Sequence, residues 1–201
     1  MRVHREALWP TFICTHEIES RLADAIEAEY IKVESNFDRR EAAQYSDFGS
    51  DRKRIFDPTK KFPKFFHEIL DATRYLNEMS GIAYNEDLFQ YWTQDYREPG
   101  DHHWRHNHGA TGLSGTYYIR AGEGCGRLAL HNPIVQTRYY NLKTHTQFNG
   151  DQHVITPRKG LMVLFPSWLE HEALPNPPGI ERAIFGWNFL EQSPDIERWR
   201  R

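Results

Sequence analysis

The chain has 201 residues, with 25 basic and 28 acidic side chains and a formal net charge of −3. This length suits one domain, 1–201, and the balanced charge gives no indication of a nucleic-acid or membrane partner. The two cysteines, Cys14 and Cys125, have no paired spacing, and no segment is long and apolar enough to cross a membrane. We therefore expect a soluble, cytoplasmic protein in a reducing compartment.

The first part of the chain predicts two helices that pack on another layer. One is expected from Glu17 to about Lys32, and its apolar face consists of Ile18, Leu22, Ile26 and Tyr30. The polar stretch 34–61 predicts mostly loop. A second helix follows and is expected to stop at Gly81. Its apolar positions are Phe66, Ile69, Leu70, Thr73, Leu76 and Met79. These segments form a helical buttress over about 17–81.

After Gly81 the pattern changes to short β-type runs separated by Gly, Pro and Asn. The runs are LFQYWTQDY, LSGTYYIRA, RLALHNP, HVITP, LMVLFP, LEHEAL and RAIFGWNFL. They predict an antiparallel sandwich or small barrel over about 88–190. Helices at the start and strands at the end indicate an α+β, mainly β, or jelly-roll fold, in which the helices support one sheet.

A cluster of histidines is the strongest chemical signal, because four fall within seven residues of DHHWRHNH. Residues two apart on an extended strand face the same side, so His106 and His108 can share one metal. His171 follows a later apolar strand and is the best candidate for a third, distant ligand. Two nearby ligands and one distant ligand are typical of facial-triad sites with open positions. Imidazole suits Fe, Zn, Cu or Ni, so ligand type alone does not select iron.

Other interpretations of these histidines stay open at the level of sequence. A histidine in an amphipathic strand is more often a surface or hydrogen-bonded residue than a ligand. Asp101 could pair with His103 to form a different site. We expect His102 and His103 to be solvated or to lie outside the first layer of ligands.

Five stretches resemble a branch of the 2-oxoglutarate and Fe(II)-dependent dioxygenases. They are HNHGATGLSGTYYI, LALHNP, the P-x-x-G-x-x-x-x-F-P-S-W-L-x-H segment that ends at His171, the Arg and Asn of ERAIFGWNF, and the opening LWPTFI. The resemblance covers roughly 88–190 plus this opening piece. It implies a double-stranded β-helix, the cupin-like jelly roll, which fits the strand pattern.

The resemblance also implies roles for individual residues. His106, His108 and His171 would be the iron ligands, with His108 where most of the superfamily has a carboxylate. Arg182 matches the basic residue that pairs with the distal carboxylate of 2-oxoglutarate. A hairpin centred near Pro177 would place Arg182 almost opposite His171, within a residue or two of register. The alternative is an edge arginine paired with an adjacent glutamate, either Glu181 or Glu172.

The chain departs from the family pattern at Ile184, where members often have serine two residues after the arginine. A hydroxyl that could assist the co-substrate carboxylate is therefore missing from this position. Tyr117, Tyr118 or Asn188 could substitute for it, or co-substrate binding could be altered. Tyrosines in such strands are more often core residues than ligand contacts.

The resemblance implies an oxygenase that uses Fe(II), 2-oxoglutarate and molecular oxygen to hydroxylate or otherwise oxidise a substrate. A competing hypothesis is a cupin-like protein with Zn or Ni at the same histidines and a non-oxygenase role. A third is a non-catalytic sandwich with surface histidines. The sequence leaves the substrate and the oligomeric state open. It also does not decide whether the segment 134–150 covers the opening of the site.

Overall fold

The computed structural model describes residues 10–35, 56–109, 112–134 and 150–191. The helices of these ranges are α1 (Ser20–Ser35), α2 (Pro58–Lys61) and α3 (Pro63–Ser80). The strands are β1 (Cys14–Glu17), β2 (Phe89–Tyr96), β3 (His103–His106), β4 (Leu113–Ala121), β5 (Leu128–His131), β6 (Gln152–Ile155), β7 (Leu161–Pro166), β8 (His171–Ala173) and β9 (Arg182–Phe189). The proposed cover 134–150 lies almost wholly outside the described residues, as does much of the predicted loop 34–61.

Helix α1 begins three residues later than predicted, because the preceding residues form strand β1. This strand pairs antiparallel with β7, with Cys14 opposite Leu164. The predicted apolar face is confirmed, since Ile26 and Tyr30 are fully buried. The sequence missed β1 because a four-residue strand at a sheet edge has little periodicity to detect.

Helix α3 ends where predicted. Gly81 adopts a left-handed backbone conformation with φ +64°, and its N–H donates to Asn77 O at 2.8 Å. The buried side of helix α3 differs from the prediction, since Phe65 rather than Phe66 is fully buried. Met79 is 52% exposed, so the buried stripe ends one turn before the helix does.

The strands form two antiparallel sheets that face each other. The larger sheet has the order β1-β7-β4-β9-β2, and the smaller has the order β3-β8-β5-β6. This arrangement is the double-stranded β-helix that the sequence predicted. The helices pack on the outer face of the larger sheet and form the main apolar core with it. None of the described helices is long and apolar enough to cross a membrane.

Along each strand of the larger sheet, successive side chains point alternately toward the helices and toward the smaller sheet. On β9, Phe185 and Trp187 join the core beneath the helices, while Arg182 and Ile184 line a cleft between the sheets. The period-2 geometry of a strand therefore separates a structural face from a chemical face.

We expect Phe65→Ala to lower the free energy of unfolding by about 3–5 kcal/mol, measured by urea denaturation. The Phe65 ring is fully buried, with its centroid 4.7 Å from that of Tyr117 and 6.0 Å from that of Phe185. Tyr75→Ala on the same helix is the control, because Tyr75 is 62% exposed. Equal losses for both variants would contradict this account of the core.

Candidate metal centre and co-substrate cleft

The cleft between the two sheets encloses about 510 Å³, including space open to solvent at its mouth. Its lining combines imidazoles and one arginine with apolar walls. The larger sheet contributes Trp92, Gln94, Tyr96, Gly115, Thr116, Tyr118, Phe165, Arg182, Ile184 and Gly186. The smaller sheet and its loops contribute His103, His106, His108, Leu128, His171 and Ala173. No acidic side chain of the described residues lines this cleft.

The three predicted metal ligands meet in the cleft. His106 and His171 face each other as direct partners on the antiparallel strands β3 and β8. His108 lies beyond the end of β3 rather than on it, which corrects the expectation of one continuous strand. Its backbone N–H donates to Ser167 O at 2.9 Å, so the segment after β7 holds the turn that carries His108.

The spacing of the three rings suits a single metal ion. One ring nitrogen of each histidine lies within 4.8 Å of the other two. Nε2 of His106 and Nε2 of His108 are 3.3 Å apart. Two imidazole nitrogens at about 2.1 Å from one ion, at right angles to each other, would be about 3.0 Å apart. The described residues contain no other group of three potential ligands this close together.

Each candidate ligand ring is oriented by an acceptor at its Nδ1 nitrogen. Nδ1 of His106 donates to Trp104 O at 2.6 Å, and Nδ1 of His171 donates to Leu169 O at 2.8 Å. Nδ1 of His108 donates to Asn188 Oδ1 at 2.6 Å. A carbonyl oxygen only accepts, so each ring holds its proton on Nδ1 and presents the Nε2 lone pair to a metal.

Burial keeps His171 in the form that binds metal. It is 7% exposed, and this burial lowers its pKa well below the ordinary value. Repulsion from the neighbouring rings of His106 and His108 lowers the pKa further. His171 is therefore neutral at neutral pH, and a neutral imidazole is the ligand species.

The other histidines of the cluster occupy different positions. His103 lines the cleft and stacks on His106, with ring centroids 4.0 Å apart. Nδ1 of His102 contacts Gly100 O instead. The alternative site of Asp101 with His103 finds no support among the described residues, because His103 lines the cleft and Asp101 does not. Asp101 Oδ2 instead accepts the backbone N–H groups at positions 97 and 98.

Arg182 reaches the cleft by a route that the sequence did not predict. His171 and Arg182 belong to different sheets and do not pair, so the proposed hairpin register was wrong. Arg182 pairs with Tyr96 on β2 and with Ala121 on β4. The segment between β8 and β9 crosses from one sheet to the other, and both side chains line the cleft.

The Arg182 guanidinium is buried without a carboxylate partner among the described residues. It is 1% exposed, its Nη1 donates to Gly126 O, and its Cζ lies 3.9 Å from the centroid of the Tyr96 ring. Its Nε has no hydrogen-bond partner in the described part of the chain. The glutamates that could have paired with it bind other residues, Glu181 to Arg120 and Glu172 to His131.

A buried charge without a counter-charge costs several kcal/mol. The Thr116 hydroxyl lines the same cleft, and it too is buried without a hydrogen-bond partner in the described ranges. These polar groups fit a small carboxylate that enters the cleft and accepts their hydrogen bonds.

The three candidates for the missing serine hydroxyl lie in different places. The Tyr117 ring points to the helices and is fully buried in the main core. Tyr118 lines the cleft directly opposite Ile184. Burial raises the pKa of its hydroxyl, and the charge of Arg182 opposes this rise. Asn188 lies behind His108 as its hydrogen-bond acceptor. Of these three residues, Tyr118 is the one that lines the cleft together with Arg182.

A hydroxyl network behind His108 was missed at the level of sequence. Ser114 Oγ lies 2.7 Å from both Asn188 Oδ1 and Ser167 Oγ, and 2.9 Å from His108 Nδ1. The signal for these groups was the alternation along β4, which places Ser114 on the same face as Tyr118. Without a strand register, that alternation does not say which face is the cleft.

A protein-family model described as "Putative 2OG-Fe(II) oxygenase" matches residues 90–188, which run from β2 to the end of β9. This match assigns the strands that carry the candidate site to the 2OG-Fe(II) oxygenase family. As an oxygenase of this family the chain uses Fe(II) and 2-oxoglutarate, and the histidine group and the cleft fit both. No curated protein matches the chain in sequence.

Solved structures of similar fold include several prolyl hydroxylases. A Pseudomonas putida prolyl-4-hydroxylase has 17% identity and a TM-score of 0.56, covering 90% of this chain and 89% of that one. A Trichoplax adhaerens prolyl hydroxylase, in complex with a hypoxia inducible factor peptide fragment, has 14% identity and a TM-score of 0.57, covering 89% and 83%. A viral collagen prolyl hydroxylase from Paramecium Bursaria Chlorella virus-1, in a 2OG complex, has 16% identity and a TM-score of 0.50, covering 90% and 96%. At these identities the likeness shows the double-stranded β-helix fold of the oxygenase.

We expect Asn188→Leu to weaken Fe(II) binding by about 10–100-fold, because the variant loses the acceptor that fixes the His108 ring. Anaerobic titration calorimetry measures this affinity. Asn85→Leu is the control, since Asn85 Oδ1 accepts only a local backbone bond from the Asp87 N–H at 2.9 Å. An unchanged affinity in Asn188→Leu, with an unchanged melting temperature, would show that the Asn188 bond does not orient the ligand.

Proposed function

We propose that the chain oxidises a C–H bond of its substrate at an Fe(II) ion bound by His106, His108 and His171. The observation that carries this proposal is that three converging imidazoles and a buried, unneutralised Arg182 line the same cleft. The three imidazoles suit a metal ion, and the arginine suits a dicarboxylate. When both are bound, iron and 2-oxoglutarate supply oxidative decarboxylation with molecular oxygen as the oxidant.

The neutral ligand set favours an anionic co-substrate. Imidazole carries no charge in the form that binds metal, and no acidic side chain of the described residues lines the cleft. The two charges of a divalent ion and the charge of Arg182 are therefore not balanced by the chain at this site. Dianionic 2-oxoglutarate, with a carboxylate at each end, can balance most of this charge.

At the far end of the cleft, Arg182 would hold the distal carboxylate of the co-substrate. A planar guanidinium can form parallel hydrogen bonds to a carboxylate, and burial strengthens them. The Tyr118 hydroxyl is the group that would replace the serine of the family pattern. It stands on the strand next to Ile184, and the Thr116 hydroxyl lies on the same face of β4.

Apolar side chains would exclude water from the reacting centre. The Trp92 indole stands edge-on to the His108 ring, with centroids 5.6 Å apart, and the Phe165 ring lies 4.6 Å from that of His171. Leu128 and Ile184 extend this wall along the cleft. A dry site protects a reactive oxidant from side reactions with water.

A cupin-like protein with Zn or Ni would explain the three histidines equally well. This alternative would not explain why the charge of Arg182 is buried without a carboxylate partner among the described residues. Anaerobic addition of Fe(II) and 2-oxoglutarate distinguishes the two functions. The oxygenase should show a weak visible charge-transfer band, whereas metal binding without this band would favour the alternative.

For the substrate, we propose only a class of compounds to test. The three similar structures are all named prolyl hydroxylases, and one is in complex with a peptide fragment. Proline-containing peptides are therefore the first substrates to assay, with succinate formation above the uncoupled rate as the readout. We also propose a cytoplasmic location, supported by the free thiols of Cys14 and Cys125.

We expect His171→Ala and Arg182→Ala to separate the two halves of the site. His171→Ala should abolish stoichiometric Fe(II) binding while the far-UV circular dichroism stays native. Arg182→Ala should retain Fe(II) but weaken 2-oxoglutarate by about 100-fold or more, because it removes charge-assisted hydrogen bonds. Metal analysis and anaerobic titration of the charge-transfer band measure these effects. If Arg182→Ala bound 2-oxoglutarate normally, the assignment of Arg182 would be wrong.

We expect Tyr118→Phe to weaken 2-oxoglutarate binding by about 10–100-fold, the effect of losing one hydrogen bond to a charged group. Tyr117→Phe is the matched control on the adjacent residue. Its hydroxyl is buried on the helix side and has no hydrogen-bond partner among the described residues. The same titration measures both variants, and equal effects would contradict the assignment of Tyr118 to the co-substrate.

A further inference from the structure

Asn176 is a buried amide in the segment that crosses from β8 to β9. It is 2% exposed, although the segment around it is largely accessible to solvent. A buried amide must satisfy its hydrogen-bonding groups, and every partner of its side chain in the described ranges is a backbone group. These partners belong to three separate segments that surround Arg182.

The first link runs through Gly126. Asn176 Oδ1 accepts the Gly126 N–H at 2.8 Å, and Gly126 O accepts Nη1 of Arg182. The space around Gly126 is tight, since a Cβ at this residue would lie 2.0 Å from Leu174 O and 3.0 Å from Nη1 of Arg182. Any shift of the Gly126 backbone therefore moves the guanidinium.

The second link runs through Tyr96. Asn176 Nδ2 donates to Tyr96 O at 3.0 Å and to Ile180 O at 2.5 Å. The Tyr96 ring is the surface on which the guanidinium rests, with Cζ of Arg182 3.9 Å from the ring centroid. Ile180 lies two residues before Arg182 in the chain. One side chain thus ties together the acceptor, the ring and the incoming backbone of Arg182.

We propose that Asn176 is a positioning residue that sets how deeply the Arg182 guanidinium lies in the cleft, and thereby selects the length of the 2-oxo dicarboxylate. This inference rests on the proposed function, because it takes Arg182 as the anchor of the distal carboxylate. The three histidines fix one end of the co-substrate and Arg182 fixes the other. The distance between the two anchors decides whether a five-carbon or a six-carbon diacid fits.

The consequence is that loss of Asn176 should change co-substrate selection more than it changes metal binding. Without the Asn176 side chain, the Gly126 backbone can shift, and the Arg182 guanidinium can then move back from the cleft. A longer diacid such as 2-oxoadipate is then less disfavoured, while 2-oxoglutarate is held less well. A role in stability alone would not change the preference between the two acids.

The test compares wild type with Asn176→Ala, using 2-oxoglutarate and 2-oxoadipate as probes. We expect KM and the anaerobic Kd for 2-oxoglutarate to rise by at least about tenfold, in line with the loss of well-aligned charge-assisted bonds. Fe(II) affinity should change by less than about threefold. The ratio of kcat/KM values for the two acids should fall toward unity.

Thr73→Ala is the control for stability. Thr73 is fully buried in α3, on the helix side of the larger sheet, and its hydroxyl donates to Ile69 O at 2.7 Å. This variant also loses a buried bond from a side chain to the backbone, but it should leave the acid preference at the wild-type value. If Asn176→Ala likewise lowered the melting temperature without moving the preference, Asn176 would be structural only and the proposal would be overturned.

Asn176→Asp serves if the alanine variant fails to fold. It keeps an acceptor for Gly126 but removes both donors, so the acid ratio should again fall. A new negative charge near Arg182 would weaken the binding of both diacids equally. This effect cancels in the ratio of their kcat/KM values. Arg182→Ala distinguishes a failure of the Asn176 role from a failure of the Arg182 assignment. If it loses 2-oxoglutarate while both Asn176 variants keep the wild-type ratio, only the positioning role fails. Normal binding in Arg182→Ala would overturn the assignment of Arg182, and metal binding by the wild type without the charge-transfer band would refute the proposed function.

Discussion

Positive charge held in a cleft that no acidic side chain of the described residues lines is the physical constraint on which this structure depends. Arg182 is buried against an aromatic ring and backbone carbonyls, and no carboxylate of the described residues neutralises it. Three imidazoles converge nearby, and an imidazole ligand adds no negative charge to a metal. Such a site is unfavourable when empty and favourable when a dianion enters, because the ligand supplies the missing counter-charge.

The double-stranded β-helix provides this geometry by placing two sheets face to face. The smaller sheet brings His106 and His171 together as direct strand partners, and the larger sheet brings Arg182 from the opposite side. The outer face of the larger sheet is covered by α1 and α3. The helices therefore stabilise one face of the sheet that presents the chemistry on its other face, which is why a strand such as β9 alternates between aromatic core residues and cleft residues.

Hydrogen bonds to the backbone and to uncharged side chains position the reactive groups throughout the site. Backbone carbonyls orient two of the histidine rings, and the Asn188 amide orients the third. A second amide, Asn176, links the segments that surround Arg182. Neutral partners fix geometry without adding charge, so they preserve the electrostatic attraction for an anionic co-substrate. This shared feature connects the two ends of the cleft.

The sequence indicated most of the elements and the candidate ligands, because these depend on local pattern. Helical periodicity gave α1 and α3, the His-x-His spacing and the later His171 indicated the metal group, and the family resemblance indicated Arg182. Tertiary structure decided what depends on register between distant strands. It showed that His171 and Arg182 lie on different sheets, that Tyr118 rather than Tyr117 faces the cleft, and that Asn188 supports a ligand. A one-residue change of register reverses every side chain of a strand, and local sequence does not fix that choice.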